Sequence, residues 1–537
     1  MSDHAAGSLH LPLYYNGLND SSNCNAGGHD PRPALQPFAS CGPPCGVYRD
    51  VLLSAFSRYR IRFFGNAWLG LLLVLSLSSL RARAADVSTS AGPILVGYFG
   101  QWGVYDHFYV KNLLTSGAAA QLDQMNYSQG SVKGGRCSIA DPNADLNLTF
   151  SAADSITGIA DKPASAFRGN LHQLAALKKR FPHLKILISL EGSAADFAIA
   201  AQPDHRSAFV ASCIDTFIRG RFAPGAADAT LFDGIDVDWE FPRAEDAANY
   251  IELLTQLREA MNMVRPGLRL SVAVGPSPQM YHGVDMGVVS HIVDQIGMMN
   301  YDYAGPWNPR TGFLAPLYSD RGGSVERSIL AYRAAGVPAN QLLMGMPFYG
   351  YGWQEVSKDG HGLFQEGHAI HGDRPYSFIE TLTATAVEDG VSKSGDDPAP
   401  ASAGNDTSHA GDPPAESASG VNANRPAAPP STPAHLAQKL PTSAATPFTI
   451  YRDPRSQAPW LYDGNTFWTF DDPKSIRFKV QFALEQHLGG VMAWELSEDT
   501  STATLLHAAR SSMQQHSAMN EQDSPSSGRS GATIETP

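Results

Sequence analysis

The chain has 537 residues, with 52 acidic side chains against 39 basic ones and a formal net charge of -13. That length supports one large α/β barrel with additions, and an acidic balance without a long basic run argues against nucleic acid as the main partner. A hydrophobic share of 43% beside 17% charged residues is that of a soluble globular protein.

Met1 to Tyr48 is rich in Gly, Pro, Asn and Ser without periodicity, so residues 1–57 are expected to form a disordered leader. Arg58, Arg60 and Arg62 follow, then the apolar run from Ala67 to Leu77, then Ala82-Arg-Ala84. Basic, apolar, small-x-small is the order of a secretory signal peptide, placed at 58–84. The apolar run is short for a membrane span, so export without stable membrane association after cleavage is expected, to the periplasm or the outside, with an uncleaved anchor as the alternative. A signal this far from Met1 suggests that translation starts downstream, near Val51, and that residues before it are not translated; secreted protein whose N-terminus precedes Gly65 would refute that. Cys41-Gly-Pro-Pro-Cys45 lacks the second pair that a metal knuckle needs, and no metal or cofactor is read. Cys137 and Cys213 could pair in an oxidising compartment, and the sequence leaves that open.

Pro93–Gly100 reads as a buried first strand and Gln121–Ser128 as the second. Asn170 caps a helix with Leu171, Leu174 and Leu177 on one face, stopped by Pro182. Strand three is Lys185–Ser189, and a helix over His205–Arg219 leads to the fourth. In Leu231-Phe-Asp-Gly-Ile-Asp-Val-Asp-Trp-Glu-Phe-Pro242, Asp236, Asp238 and Glu240 share one strand face while Ile235, Val237 and Trp239 share the other. Three carboxyls spaced roughly 6–7 Å apart in file cannot all ionise in an enclosed site, which leaves a proton for general acid catalysis. The alternating apolar residues do not suit a Ca²⁺ loop, which wants Gly and Asn turns.

Glu245 or Asp246 then caps a helix with Tyr250, Leu253, Leu254, Leu257 and Met261 on one face. Strands five to eight are Leu268–Gly275, Val293–Tyr303, Gln341–Gly350 and Gly489–Leu496, with a helix over Ser324–Ala335 halted by Gly336 and Pro338. Strand alternating with helix about eight times is the rhythm of a TIM (β/α)8 barrel in the α/β class. Between strands seven and eight the rhythm breaks. Residues 385–446 are dominated by Pro, Ala, Ser, Gly and Asp, so the insertion is expected to be rudimentary and largely disordered. Its flanks offer Gly362–Gln365, Pro375–Phe378 and a hairpin turning at Asp463-Gly464. Residues 511–537 read as a disordered polar tail.

Asp233-Gly-Ile-Asp236-Val-Asp238-Trp-Glu240 resembles the DGxDxDxE signature of glycoside hydrolase family 18, and Trp239 with Phe241-Pro242 resembles its chitinase branch. The resemblance extends over 93–509, with Gly97-Tyr98-Phe99 and Trp102 at the opening, an MxYD-like Met299-Asn-Tyr301-Asp302, and Trp494 at the end of strand eight. It implies a retaining chitinase cleaving β-1,4-linked N-acetylglucosamine polymers within the chain, with Glu240 as general acid and base. Asp238 would pass charge between Glu240 and Asp236, and the substrate's own acetamide would attack, oriented by Asp238 and Tyr301. Asp302, Trp494, Met299, Tyr98 and Ser189 are the implied sugar-binding residues, and Trp102, Trp307 and Trp353 are candidates for further subsites.

Two departures from the family pattern stand out. Gln129 sits where the family usually has an aromatic, and Glu191 replaces the first glycine of an SxGG-like turn, Ser189-Leu-Glu191-Gly192. A side chain at 191 is expected to intrude on the cleft or strain the backbone. No other acid offers itself as an opposing nucleophile, and Glu191 is a poor one. The partner expected is chitin or its oligosaccharides, bound by a monomer, and the sparse insertion implies a shallow, open cleft. Two alternatives stay open: an endo-β-N-acetylglucosaminidase acting on glycans or peptidoglycan, and a chitin-binding lectin, which the retained Glu240 disfavours.

Overall fold

The computed structural model describes residues 92–165, 167–222, 230–389 and 447–523, and gives no side-chain detail beyond 519. The leader, the signal segment, residues 390–446 and the last residues of the tail lie outside the described residues.

Eight parallel strands close into a barrel: β1 (Ile94–Gly100), β2 (Gln124–Lys133), β3 (Lys185–Glu191), β4 (Gly234–Asp238), β5 (Arg269–Val274), β6 (Gln295–Met298), β7 (Leu342–Pro347) and β8 (Gly490–Trp494). Neighbours in sequence are neighbours in space, and β1 pairs with both β2 and β8. The barrel was expected from the alternation of strand and helix, and it is what forms.

Each strand is apolar on the side facing its helices. In β4, Ile235 and Val237 are buried, and Trp239 just beyond them stacks on Phe197 at 5.3 Å and meets Tyr250 edge-on at 5.6 Å. Tyr250 belongs to the helix Ala247–Val264, whose Leu253, Leu254, Leu257 and Met261 repeat at helical spacing and are all buried. Ser324 accepts a hydrogen bond from the Arg327 amide to start the helix Val325–Ala334, and Gly336, at φ 90°, ends it in a conformation open to glycine.

Three local features go beyond the sequence pattern. β2 runs on to Lys133 and turns into a short antiparallel partner, Arg136–Ile139. Cys137 in that partner is disulfide-bonded to Cys213 on the helix Pro203–Cys213, with Cα atoms 4.9 Å apart. The closing helix is Thr504–Asp523, so the tail expected to be disordered from 511 is helical as far as Asp523. Its buried Leu505, Leu506, Ala509 and Met513 carry the helix past the point where the sequence turns polar.

The flanks of the insertion build a second, smaller sheet. Tyr349–Gln354, which continues from β7, pairs with Phe467–Thr469, and the order runs on through Pro459–Tyr462 and Thr449–Arg452 to Val387–Glu388. His368–Ala369 and Arg374–Pro375 add to the strand at 349–354. Trp353, Trp460, Tyr462 and Phe467 supply its apolar face. Trp353 is fully buried, against Phe467 and with its indole N–H donating to the Asn308 carbonyl. The sequence offered Trp353 as a surface subsite for sugar; its burial excludes that.

Candidate active site

β4 ends at Asp238, and Glu240 stands two residues further on, at the C-terminal mouth of the barrel where such folds place their chemistry. The three carboxyls therefore descend from rim to core in the order Glu240, Asp238, Asp236. Cα register fixes what surrounds them. Asp236 lies level with Ser189 of β3 and Ser271 of β5, and Asp238 lies level with Glu191 and Ala273.

Asp236 is the deepest and is almost inaccessible. Tyr98 and Ser189 donate to its Oδ2, each at 2.9 Å, and Ser271 donates to its Oδ1 at 2.5 Å. Burial holds this carboxyl above its ordinary value, and the hydroxyls work in the opposite direction. The sequence put the crowding of like charges first; desolvation is the larger cause. Three donors fix the orientation of Asp236 without supplying a countercharge, so it can accept or release charge as its neighbour moves. Tyr98 itself is kept protonated, first by burial and then by the charges of Asp236 and Asp238.

The other implied residues gather at the same mouth. Trp494, the last residue of β8, packs against the Tyr98 ring at 5.4 Å and Trp102 at 6.3 Å. Tyr301 and Asp302 follow β6. Tyr301 meets Tyr349 edge-on at 6.1 Å, and Tyr349 donates to Asp302 Oδ1 at 2.6 Å. Asp302 has φ 64°, a left-handed backbone that non-glycine residues adopt at a cost and that recurs at functional sites. Met299, Tyr301, Asp302 and Phe241 line one end of a cavity of about 990 Å³. It continues past Trp307 and Phe313 to Phe364 and Arg321, whose guanidinium lies 5.0 Å from the Phe364 ring centre. Residues from Tyr303 to Gly323 and Asp453, Arg455 and Ser456 of the small sheet's loop line this cavity, which shares Met299, Tyr301 and Asp302 with the site.

Two carboxyls had not been assigned a role from sequence. Glu495, next to Trp494, accepts from the Gly100 amide at 2.9 Å, from the Trp102 indole N–H at 3.1 Å and from Ser497 at 2.8 Å. It ties the end of β8 to the end of β1 and holds the Trp102 indole in place. Burial raises it to about 7. An acid embedded in the apolar strand-eight run was the available signal. Glu191 completes β3 in regular strand geometry, so the backbone is not strained. It shares parity with Ser189, which bonds to Asp236, and so projects into the mouth. Ser128 donates to its Oε1 at 2.7 Å. Burial raises Glu191 to about 7 against the pull of that hydrogen bond, and the charges of Glu240, Asp236 and Glu495 add to the rise. Gly192 differs: a Cβ there would fall 2.5 Å from the Val132 carbonyl oxygen. Gln129 sits where the β2–β3 register shifts between Ser128 and Gly130.

A closed barrel with an acid file at the C-terminal end of one strand and aromatic rings around it defines a (β/α)8 glycoside hydrolase. The model of glycosyl hydrolases family 18 matches residues 94–499, and the chain belongs to that family. Among curated proteins it is 28% identical over 424 residues to Chitinase C of Streptomyces lividans, covering 76% of this chain and 58% of that protein. It is likewise 28% identical over 436 residues to Chitinase 63 of Streptomyces plicatus, covering 78% and 60%. The chain thus spans about three fifths of the length of these relatives. Among solved structures, the catalytic domain of psychrophilic chitinase B from Arthrobacter TAD20 matches 79% of this chain and 96% of its own, at 26% identity and a TM-score of 0.62.

Proposed function

We propose that this protein is a chitinase that hydrolyses β-1,4-linked N-acetylglucosamine polymers within the chain and with retention. The observation that carries the reading is the file Glu240, Asp238, Asp236, whose lowest member is held by Tyr98, Ser189 and Ser271. Glu240 protonates the leaving oxygen. The acetamide oxygen of the reacting sugar attacks the anomeric carbon, and the bond to the leaving group breaks as that oxygen takes the proton from Glu240. Asp238, turned from Asp236 toward the acetamide, stabilises the positive charge of the ring that forms, with Tyr301 as a second hydrogen-bonding partner. Water, deprotonated by Glu240, then bonds to the anomeric carbon from the face the leaving group left, and the bond from that carbon to the acetamide oxygen breaks, restoring the acetamide.

Trp494 gives the reacting sugar a face to stack on. The cavity that includes Met299, Tyr301 and Asp302 is about 990 Å³, room for further sugar units beside the reacting one, which supports cleavage inside a chain rather than at its end. Asp302 is read as a grip on the reacting sugar, and Met299 as part of its wall. The Cys137–Cys213 disulfide favours an oxidising compartment and so supports the reading of 58–84 as an export signal.

Chito-oligosaccharides of four to six units, roughly the length an extended cleft would hold, give the direct test. Internal cleavage with β-anomeric product supports the reading, and Glu240→Gln should lower kcat by at least about a thousandfold. A Glu240→Gln protein that hydrolyses chitin at the unaltered rate would remove it. Release of sugar from a high-mannose glycoprotein, with chito-oligosaccharides untouched, would favour the endo-β-N-acetylglucosaminidase alternative instead.

A further inference from the structure

We propose that Glu191 is a positioning residue for Glu240: a second carboxyl, one strand across, whose negative charge keeps the proton of the general acid in place as the solution turns alkaline and so sets the upper pH limit of turnover. The inference rests on Glu240 being the general acid.

The geometry has three parts. β3 and β4 are adjacent, and their register sets Glu191 level with Asp238, immediately below the rim where Glu240 stands. The strand alternation that turns Ser189 toward Asp236 turns Glu191 inward as well. The Ser128 hydroxyl, donating at 2.7 Å from β2, holds the carboxyl there. The titratable groups around it are Asp236 and Asp238 from β4, Glu240 just beyond that strand, and Glu495 from the end of β8. Tyr281, packed against Phe241, feels the charges of Asp238 and Glu240 but stays protonated, chiefly through burial.

The consequence follows from charge alone. Glu191 is raised to about 7, so it is neutral in mild acid and gains its charge as pH passes neutrality. The coupling is reciprocal: the charge of Glu240 helps raise Glu191, and a charge on Glu191 opposes the ionisation of Glu240 by the same interaction. Glu240 therefore stays protonated, and competent to donate, to higher pH than a glycine at 191 would allow. Tolerance of a side chain at 191, where Gly192 next to it has none, fits this placement.

The test is the pH profile of kcat/KM on chitotetraose for the full chain and three variants. In Glu191→Gln and Glu191→Gly the basic limb should move toward acid by about one pH unit, a size typical of a nearby like charge. The ratio of activity at pH 8 to that at pH 6 should fall several-fold. Glu191→Asp, which keeps the charge, should restore the limb at least in part. A basic limb that superimposes on the parent in both Glu191→Gln and Glu191→Gly overturns the proposal. So does a shifted limb that Glu191→Asp fails to move back. Glu240→Gln, measured alongside, separates the two readings: if it is inactive while the Glu191 variants keep the parent profile, only the role of Glu191 fails.

Discussion

Asp236 shows what one buried group asks of its surroundings. Among the described residues no cation hydrogen-bonds to it, and three hydroxyls from β1, β3 and β5 take that place. A hydrogen bond to a charged group contributes about 1.5–3 kcal/mol. Tyr98→Phe keeps the ring against Trp494 and removes one donor, so kcat should fall about tenfold or more with KM nearly unchanged; steady-state kinetics checks this. Glu191 and Glu495 make a second point, about stability. Both fold with values of about 7 against an ordinary 4.5, so the native state binds their protons more tightly than the unfolded chain does. The stability this supplies is complete below about pH 4.5 and is lost as pH rises through about 7. Calorimetric Tm should therefore decline from pH 5 to pH 8, and less steeply in Glu191→Gln than in the parent.

At the scale of the element, β4 is divided by its own alternation into a chemical face and a structural one. Trp239 belongs to the second: buried between Phe197 and Tyr250, it anchors the helix Ala247–Val264 to the strand that carries the acids. Trp239→Ala should cost about 3–5 kcal/mol in denaturant unfolding and leave the acid file itself intact. Parity, helix spacing and the acid file were all legible in residues 231–261, because strand and helix periods follow from backbone geometry alone. The depth of Trp353 was not legible. Its strand is flanked by weak local pattern, and what covers it comes from Phe467, more than a hundred residues later.

For the whole molecule, the Cys137–Cys213 bond closes a loop across 76 positions and joins the β2 extension to an outer helix. Loop-closure entropy puts its contribution at about 4 kcal/mol. Cys213→Ala, or reduction of the parent, should lower the unfolding free energy by an amount of that order. Equal Tm values with and without reductant would show that the bond is not formed in the protein as made. The insertion works at this scale too. Among the described residues, Phe364 and the loop residues Asp453, Arg455 and Ser456 from its flanks line the cavity that includes Met299, so deletion of 395–440 should leave kcat/KM on chitotetraose within about threefold and cost little stability, because loop-closure entropy changes slowly with length.

The sequence by itself determined the barrel, the strand that carries the chemistry, and the order of the acids along it, because these depend on patterns repeated within a few residues. It also presented Glu191 as a departure without saying where its side chain goes. Tertiary structure decided the rest. Burial, more than the crowding of acids, raises Asp236; the end of β1 is tied through Glu495 to the end of β8; and Met299, Tyr301 and Asp302 open onto a cavity lined from two distant segments. Each of these depends on side chains far apart in the chain meeting at one end of the barrel, and desolvation and packing there are properties of the enclosure, which no local pattern records.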